Sequence, residues 1–369
     1  MKVPMLDFNA QYEPIMDDIK AEMEKVFTSH AYKLGPQVKE FEEDMQKYCD
    51  VKHAIGCASG TDAIILALIA LDISDGDEVI TTPFTFFATA GTIHRVGAKP
   101  VFVDVKPYTY NIDPDKIEAA ITPKTKAIVV VHLFGQPAEM DKIMEIARKH
   151  NLKVIEDNAQ GIGAKFEGKT AGTIGDIGTL SFFPSKNLGA MGDAGMCLTN
   201  SDELADKLFM LRVHGENPQY YHKWVGLNSR LDTIQAAALL IKLRSLTGWS
   251  EARRKNAEYY YKNLKDISHI KLPVIHEKAE TIFNQFTLIA ENRDELLNYL
   301  RSKDIGCAVY YPLPLHLQEC FSYLNHKKGD FPITEELTEK VISIPVFSEI
   351  TKEQQDYVIG NIKEFYTQR

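Results

Sequence analysis

Between Glu78 and Glu156, short apolar runs alternate with helical patterns. Glu78–Thr82, Lys99–Val103, Lys126–His132 and Lys153–Glu156 read as strands. Thr85–Val96, Asp115–Ile121 and Met140–Lys149 read as helices between and after them. Strands that are apolar almost throughout, separated by helices, predict an α/β fold with a mostly parallel sheet covered on both faces. In such a sheet, ligands bind beyond the carboxyl ends of the strands.

Several chemically capable residues fall at such ends. Asp157 follows Val154-Ile155-Glu156, and Gln160 lies three residues further on. Phe86 follows the strand that ends near Thr82. Lys186 stands in a turn of small residues just beyond the apolar run Ile177–Phe183. An amine beside a buried strand is poorly solvated, which favours its neutral, nucleophilic form. Glycines at 189, 192 and 195 allow positive φ and close passage of the backbone past a bound group. The stretch Ala54–Ala63 runs through Ser59, Gly60 and Thr61 into an apolar helix, and free N–H groups at a helix start attract a phosphate.

Each feature has an ordinary reading when taken alone. A loop lysine can be a surface lysine, Ser59 or Thr61 a helix cap, Asp157 a cap, and Phe86 part of the core. Together they supply an amine for an aldehyde, a carboxylate for a ring nitrogen, a phosphate cradle and an aromatic face. Pyridoxal 5′-phosphate needs all four.

Flanking segments complete the organisation. Residues 12–29 and 37–48 have helical spacing on either side of Leu34-Gly35-Pro36. A helix over 202–211 leads into a polar, aromatic loop, and helices follow over 232–247 and 250–266. Beyond these, strands over 283–290, 308–311 and 343–346 alternate with helices over 293–302, 334–341 and 351–366. This predicts a large domain over 1–247 and a small C-terminal α+β domain over 248–369. A chain of 369 residues with 44% hydrophobic content can build cores for both.

Charge and composition narrow the function. A net charge of −9 with no basic block argues against nucleic acid. The longest apolar run, Ala63–Leu71, is too short to span a bilayer, and the N-terminus lacks a signal-peptide pattern. Five cysteines without a CxxC pair favour reduced thiols in a cytoplasmic protein over disulfides or a metal site.

Six stretches also resemble the DegT/DnrJ/EryC1/StrS sugar aminotransferases, a branch of the fold-type I pyridoxal-phosphate enzymes. They are Tyr32–Pro36, Ala58–Ala63, Glu156–Gln160, Ser181–Gly189, Asn228–Asp232 and Tyr310–His316. The resemblance implies that Lys186 bonds the cofactor aldehyde and moves the proton, while Asp157 pairs with the pyridine nitrogen. It implies that Gln160 meets the ring hydroxyl and Phe86 stacks on the ring. Gly60, Thr61 and Ser181 would hold the phosphate, joined by Asn228 from the other subunit of a homodimer. Arg230, also from across the interface, would bind a substrate carboxylate, with Tyr311 and His316 lining the substrate entrance. Some relatives carry histidine in place of the lysine and act as dehydratases; Lys186 favours transamination.

The implied substrates are L-glutamate as amino donor and a nucleotide-linked ketosugar as acceptor. Residues 212–232 look most like enzymes that aminate C3 of UDP-2-acetamido-2-deoxy-3-oxo-glucuronate for surface polysaccharides, such as lipopolysaccharide. A dTDP-linked 3-keto or 4-keto 6-deoxyhexose is the alternative acceptor. A non-catalytic, pyridoxal-binding regulator is the alternative of another class.

Overall fold

A computed structural model describes residues 1–368. The chain opens with α1 (Phe8–Tyr12), α2 (Met16–Ser29) and α3 (Pro36–Cys49). The sheet region then runs β1 (His53–Cys57), α4 (Gly60–Ala70), β2 (Glu78–Thr81), α5 (Phe87–Arg95), β3 (Lys99–Phe102), β4 (Thr125–Val131), α6 (Met140–His150) and β5 (Lys153–Asp157). A hairpin of β6 (Lys165–Phe166) and β7 (Lys169–Thr170) precedes β8 (Ile177–Ser181), β9 (Gly195–Thr199) and α7 (Asp202–Leu211).

Seven strands form one sheet in the order β1-β9-β8-β5-β4-β2-β3. β3, β2, β4, β5 and β8 pair in parallel, while β9 is antiparallel to both β8 and β1. Only β9 therefore runs against the rest, and the carboxyl ends of the other six strands share one edge. β1 and β9 are strands that the sequence reading lacks. Their apolar and small residues bury one cluster with Ile64, Leu68, Leu208 and Leu211 on one side of the sheet, and α6 covers the other side through Met140, Ile143 and Ala147.

α4 is apolar nearly all round because it lies between the sheet and neighbouring helices. Ser59 caps it by accepting the N–H of Asp62 at 3.1 Å. The helix expected over 115–121 is instead two 3-10 turns, Pro114–Lys116 and Glu118–Ala120. Pro114 opens the stretch, and the backbone is already extended at Ile121 (φ −74°, ψ 130°) ahead of Pro123, so the run ends after two short turns.

The long helical region after residue 232 is broken at Arg244 and Ser245 into α8 (Thr233–Leu243) and α9 (Leu246–Leu264). The C-terminal part contains β10 (Ile270–Lys271), β11 (Ala279–Glu280), β12 (Phe286–Ala290), α10 (Arg293–Ser302), α11 (Pro332–Lys340), β13 (Val341–Ile344) and α12 (Lys352–Thr367). Its core gathers Tyr260, Phe286, Leu288, Leu300, Ile344 and Val358. Val3 packs into this core and its carbonyl accepts from Gly306, so the first residues lie with the last hundred. Residues 308–311 do not make a strand; Ala308 forms a single bridge to Ser343. Among the described residues, no helix is long and apolar enough to cross a membrane.

Candidate active site

The carboxyl ends of β1, β2, β4, β5 and β8 carry the candidate residues to one edge of the sheet. Asp157 ends β5 and is 5% exposed. Its Oδ2 accepts from the Thr89 hydroxyl on α5 at 2.8 Å, and its Oδ1 accepts from the Ala159 N–H at 3.3 Å. Burial raises its pKa, while the Thr89 and Ala159 bonds and the charge of Lys186 oppose that rise. The result is an oriented carboxylate with one strong fixed donor.

Asp157 is backed by a second buried carboxylate. Glu156 has no solvent exposure and accepts from the N–H groups of Gly172, Ile174 and Gly175 at 2.8, 2.7 and 2.6 Å. It also meets His132 Nε2 at 2.8 Å. The N–H of Ala138 donates to His132 Nδ1 at 3.1 Å, so the ring proton sits on Nε2 and His132 is the neutral donor to Glu156. Burial works to raise Glu156, yet these bonds lower it overall. The strand end that presents Asp157 is thereby pinned.

Lys186 follows β8 in a turn closed by its own N–H to the Phe183 carbonyl at 2.8 Å. Burial pushes its amine down to about 8, and the negative charge of Asp157 works against that shift. At pH 7 about one amine in ten is then neutral, against roughly one in three thousand for an ordinary lysine. Gly189 and Gly195 act through close approach: a side chain on Gly189 would strike the Pro184 carbonyl, and one on Gly195 the Ser59 carbonyl. Gly195 lies within β9 rather than in the turn.

The cradle is equally tight. A Cβ on Gly60 would lie 2.5 Å from the Ser181 Cβ, so the start of α4 and the end of β8 touch only because residue 60 is glycine. The first intrahelical bond runs from Ala63 to Ser59, which leaves the N–H groups of Gly60 and Thr61 ahead of the ladder. With the Ser181 hydroxyl beside them, these groups suit a phosphate.

Gln160 is fixed at both ends. Its Oε1 accepts from the Phe134 N–H at 2.6 Å, and its Nε2 donates to the Tyr311 hydroxyl at 3.1 Å. Burial raises the pKa of Tyr311, which keeps it a neutral phenol. Phe86 is the residue just before α5 and is 57% exposed, with its ring 6.3 Å from that of Tyr311. It is therefore a free aromatic face, not core.

Asn228 and Arg230 sit in a run where exposure alternates: Asn228 and Asp232 are exposed, Ser229 and Leu231 buried, Arg230 between. The Ser229 hydroxyl donates to Asp62 Oδ2 at 2.7 Å and accepts from Ala58 N–H at 3.2 Å. In an extended run, neighbours of an inward side chain face the other way. Asn228 and Arg230 thus turn away from their own α4.

His316 departs from the position expected of an entrance residue. It is 2% exposed, its Nε2 meets Glu335 Oε1 at 3.0 Å, and its ring packs on Phe331 at 4.7 Å. Burial lowers its pKa. Sequence reasoning also passed over Thr89 and His132. The hydroxyls at 85 and 89, one helical turn apart and bonded at 3.1 Å, were the available signal.

A carboxylate with a fixed donor, an amine of lowered basicity and a glycine-lined anion cradle at one sheet edge define a pyridoxal-phosphate site in an α/β fold. The residues present fit that cofactor. The chain belongs to the DegT/DnrJ/EryC1/StrS aminotransferase family, whose profile matches residues 14–363.

A Geobacillus stearothermophilus protein named pleiotropic regulatory protein is 50% identical over 99% of both chains. An Acidithiobacillus ferrooxidans UDP-N-acetyl-3-dehydro-α-D-glucosamine 3-aminotransferase is 45% identical over 95% of both. A Pseudomonas aeruginosa UDP-2-acetamido-2-deoxy-3-oxo-D-glucuronate aminotransferase is 41% identical, covering 93% of this chain and 95% of its own. Among solved structures, S. venezuelae DesV in complex with a ketimine intermediate superposes with a TM-score of 0.97 at 38% identity, covering 99% of this chain and 98% of its own. NtdA from Bacillus subtilis, with bound pyridoxamine phosphate, gives 0.92 at 34%, covering 98% and 85%.

Proposed function

We propose that this chain moves an amino group from L-glutamate to C3 of a UDP-linked 2-acetamido-3-oxo sugar, with the 3-oxo-glucuronate as the preferred acceptor. The observation that carries the chemistry is the pairing of Lys186, its amine lowered to about 8, with the buried Asp157. Bound pyridoxal phosphate would supply the aldehyde and an electron sink. Lys186 would first hold that aldehyde and then move a proton between the substrate carbon and the cofactor's C4′. Asp157, oriented by Thr89, would keep the ring nitrogen protonated. Gln160 would meet the ring hydroxyl and Phe86 would cover the ring face. Gly60, Thr61 and Ser181 would hold the phosphate.

The site would be completed by a second copy of the chain. The outward face of Asn228 and Arg230 supports this, as do the exposed Tyr220, Tyr221 and Val225 in the preceding loop. Asn228 of the partner subunit would reach the phosphate, and Arg230 of the partner subunit would clamp a carboxylate. Glutamate and a uronate each bring one carboxylate, so a single guanidinium can serve both half-reactions by paired hydrogen bonds. Tyr311 would face the sugar. His316 would act one layer behind the entrance, through Glu335 and Phe331.

Two named relatives act on UDP-linked 3-oxo sugars with a 2-acetamido group, one a uronate and one not. Single-turnover assays separate these. Glutamate should bleach the visible band of the loaded protein, and the right ketosugar should restore it. Recovery should be faster with the 3-oxo-glucuronate than with the 3-oxo-glucosamine nucleotide, and Arg230→Ala should erase the difference. Equal rates in wild type would favour the uncharged sugar, and recovery only with a dTDP-linked deoxyhexose would reject both. The name of the Geobacillus relative raises a regulatory role; a band that no amino donor bleaches would favour it.

A further inference from the structure

Two amides outside the described constellation meet next to Lys186. Asn284 Nδ2 donates to Asn187 Oδ1 at 2.8 Å, and both residues are buried. Asn187 in turn donates to the Ile282 carbonyl at 3.4 Å. Asn284 belongs to a strap, residues 281–285, that leads directly into β12 of the C-terminal core.

The other face of the strap touches the turn that carries Gln160's partner. The Gly135 carbonyl accepts from the Ile282 N–H at 3.1 Å and from the Thr281 hydroxyl at 2.9 Å, and the Phe134 carbonyl accepts from Gln285 N–H at 3.4 Å. Gly135 has φ +94, and a Cβ there would lie 2.8 Å from the Asn284 nitrogen and 3.1 Å from the Gln160 carbonyl oxygen. Phe134 and Phe283 adopt φ of 58° and 46°, conformations that bulky residues hold only where their surroundings impose them. The buried Arg253 of α9 adds bonds from its Nη1 to the carbonyls of Phe283 and Asn284 at 3.1 and 3.3 Å. One short segment is therefore wedged between the Lys186 loop and the Gln160 turn, and is gripped from behind by the C-terminal part.

We propose that Asn284 is a positioning residue for Lys186: through Asn187 it fixes the lysine loop against the Gln160 turn and ties both to the C-terminal core. It touches neither cofactor nor substrate in this role. The backbone contacts of 281–285 set the strap, and the Asn284 amide carries that setting across to residue 187, whose neighbour is the reacting amine. The proposal rests on Lys186 being that amine.

The test measures the pH dependence of Lys186 acetylation in cofactor-free protein by peptide mass spectrometry, for wild type, Asn284→Ala and Asn187→Ala, with melting curves alongside. Loss of the amide pair should let the loop loosen and water reach the ammonium. The midpoint should then move up from about 8 toward the value of an exposed lysine. In loaded protein, the glutamate half-reaction should slow by roughly five- to tenfold, with the KM for the sugar unchanged. Asn187→Ala loses only the amide pair and the long contact to the Ile282 carbonyl, and keeps the strap's bonds to Phe134, Gly135 and Arg253, so it should reproduce the shift even where Asn284→Ala unfolds. Midpoints and rates equal to wild type in a folded Asn187→Ala variant would overturn the proposal. A separate Lys186→Ala control tests the underlying reading: if that variant keeps the visible band of the bound cofactor, the assignment of Lys186 itself fails.

Discussion

Thr89 donates its hydroxyl to Asp157 Oδ2 at 2.8 Å, and this bond sets which face of the carboxylate is left for a ligand. Removing it should cost about 1.5–3 kcal/mol of orientation, the usual range for a bond to a charged group. Thr89→Val should therefore slow turnover by roughly ten- to a hundredfold. The sign of the pH effect follows from the same bond. Thr89 holds the carboxyl down against the upward push of burial, so its loss should move the acid limb of the pH–rate profile to higher pH. Thr89→Ser should keep the wild-type limb; a Thr89→Val profile identical to wild type would contradict the role.

Lys186 and Asp157 should titrate as partners. Burial lowers the lysine to about 8, and the Asp157 charge keeps it from falling further. Only the neutral amine attacks an aldehyde, so the rate of cofactor capture by stripped protein should rise with pH through about 8, not through the range of a free lysine. In Asp157→Asn the opposing charge is gone, so the inflection should move below that of wild type. Stopped-flow absorbance against pH measures both; an upward shift in Asp157→Asn would refute the pairing.

Gly60→Ala tests the cradle. The new methyl would meet the Ser181 Cβ at 2.5 Å, and opening that contact should spread the N–H groups of residues 60 and 61 from the serine hydroxyl. Cofactor affinity should fall by about tenfold or more, as for one charge-assisted bond. Equilibrium dialysis against pyridoxal phosphate reads this directly, and capture of unphosphorylated pyridoxal should change far less.

The proposed sharing of the site between subunits predicts complementation. Lys186→Ala and Arg230→Ala homodimers should each be inactive or nearly so. Mixed dimers should regain activity, because one of their two sites would pair an intact lysine with Arg230 of the partner subunit. Heterodimers purified with two affinity tags that remain inactive would reject the shared site.

The parallel strands and the residues at their ends were legible because burial on both faces leaves continuous apolar runs, and chain reversal follows at once. β1 and β9 were not. His53–Cys57 merges with the helix start that follows it, and Gly195–Thr199 begins on a glycine whose role is close packing against Ser59. Their pairing spans some 140 residues of sequence, which no local pattern records. Asp157, Gln160 and Lys186 stood out by strand-end position. Thr89 did not, since its spacing from Thr85 was the one local mark and its target, Asp157, lies 68 residues away in sequence. His316 shows the reverse case: the family resemblance implied an entrance residue, yet Glu335 satisfies its Nε2 and lets the ring be buried.

One amine, that of Lys186, would carry the chemistry. Loading the protein with pyridoxal phosphate, fixing the carbon–nitrogen double bond with borohydride and sequencing the labelled peptide by mass spectrometry would locate it. Label on Lys186, in the peptide that runs from Ser181 through Gly189, is the predicted result. Label on another lysine, such as the buried Lys242 of α8 whose amine is lowered to about 7, with Lys186 unmodified, would contradict it.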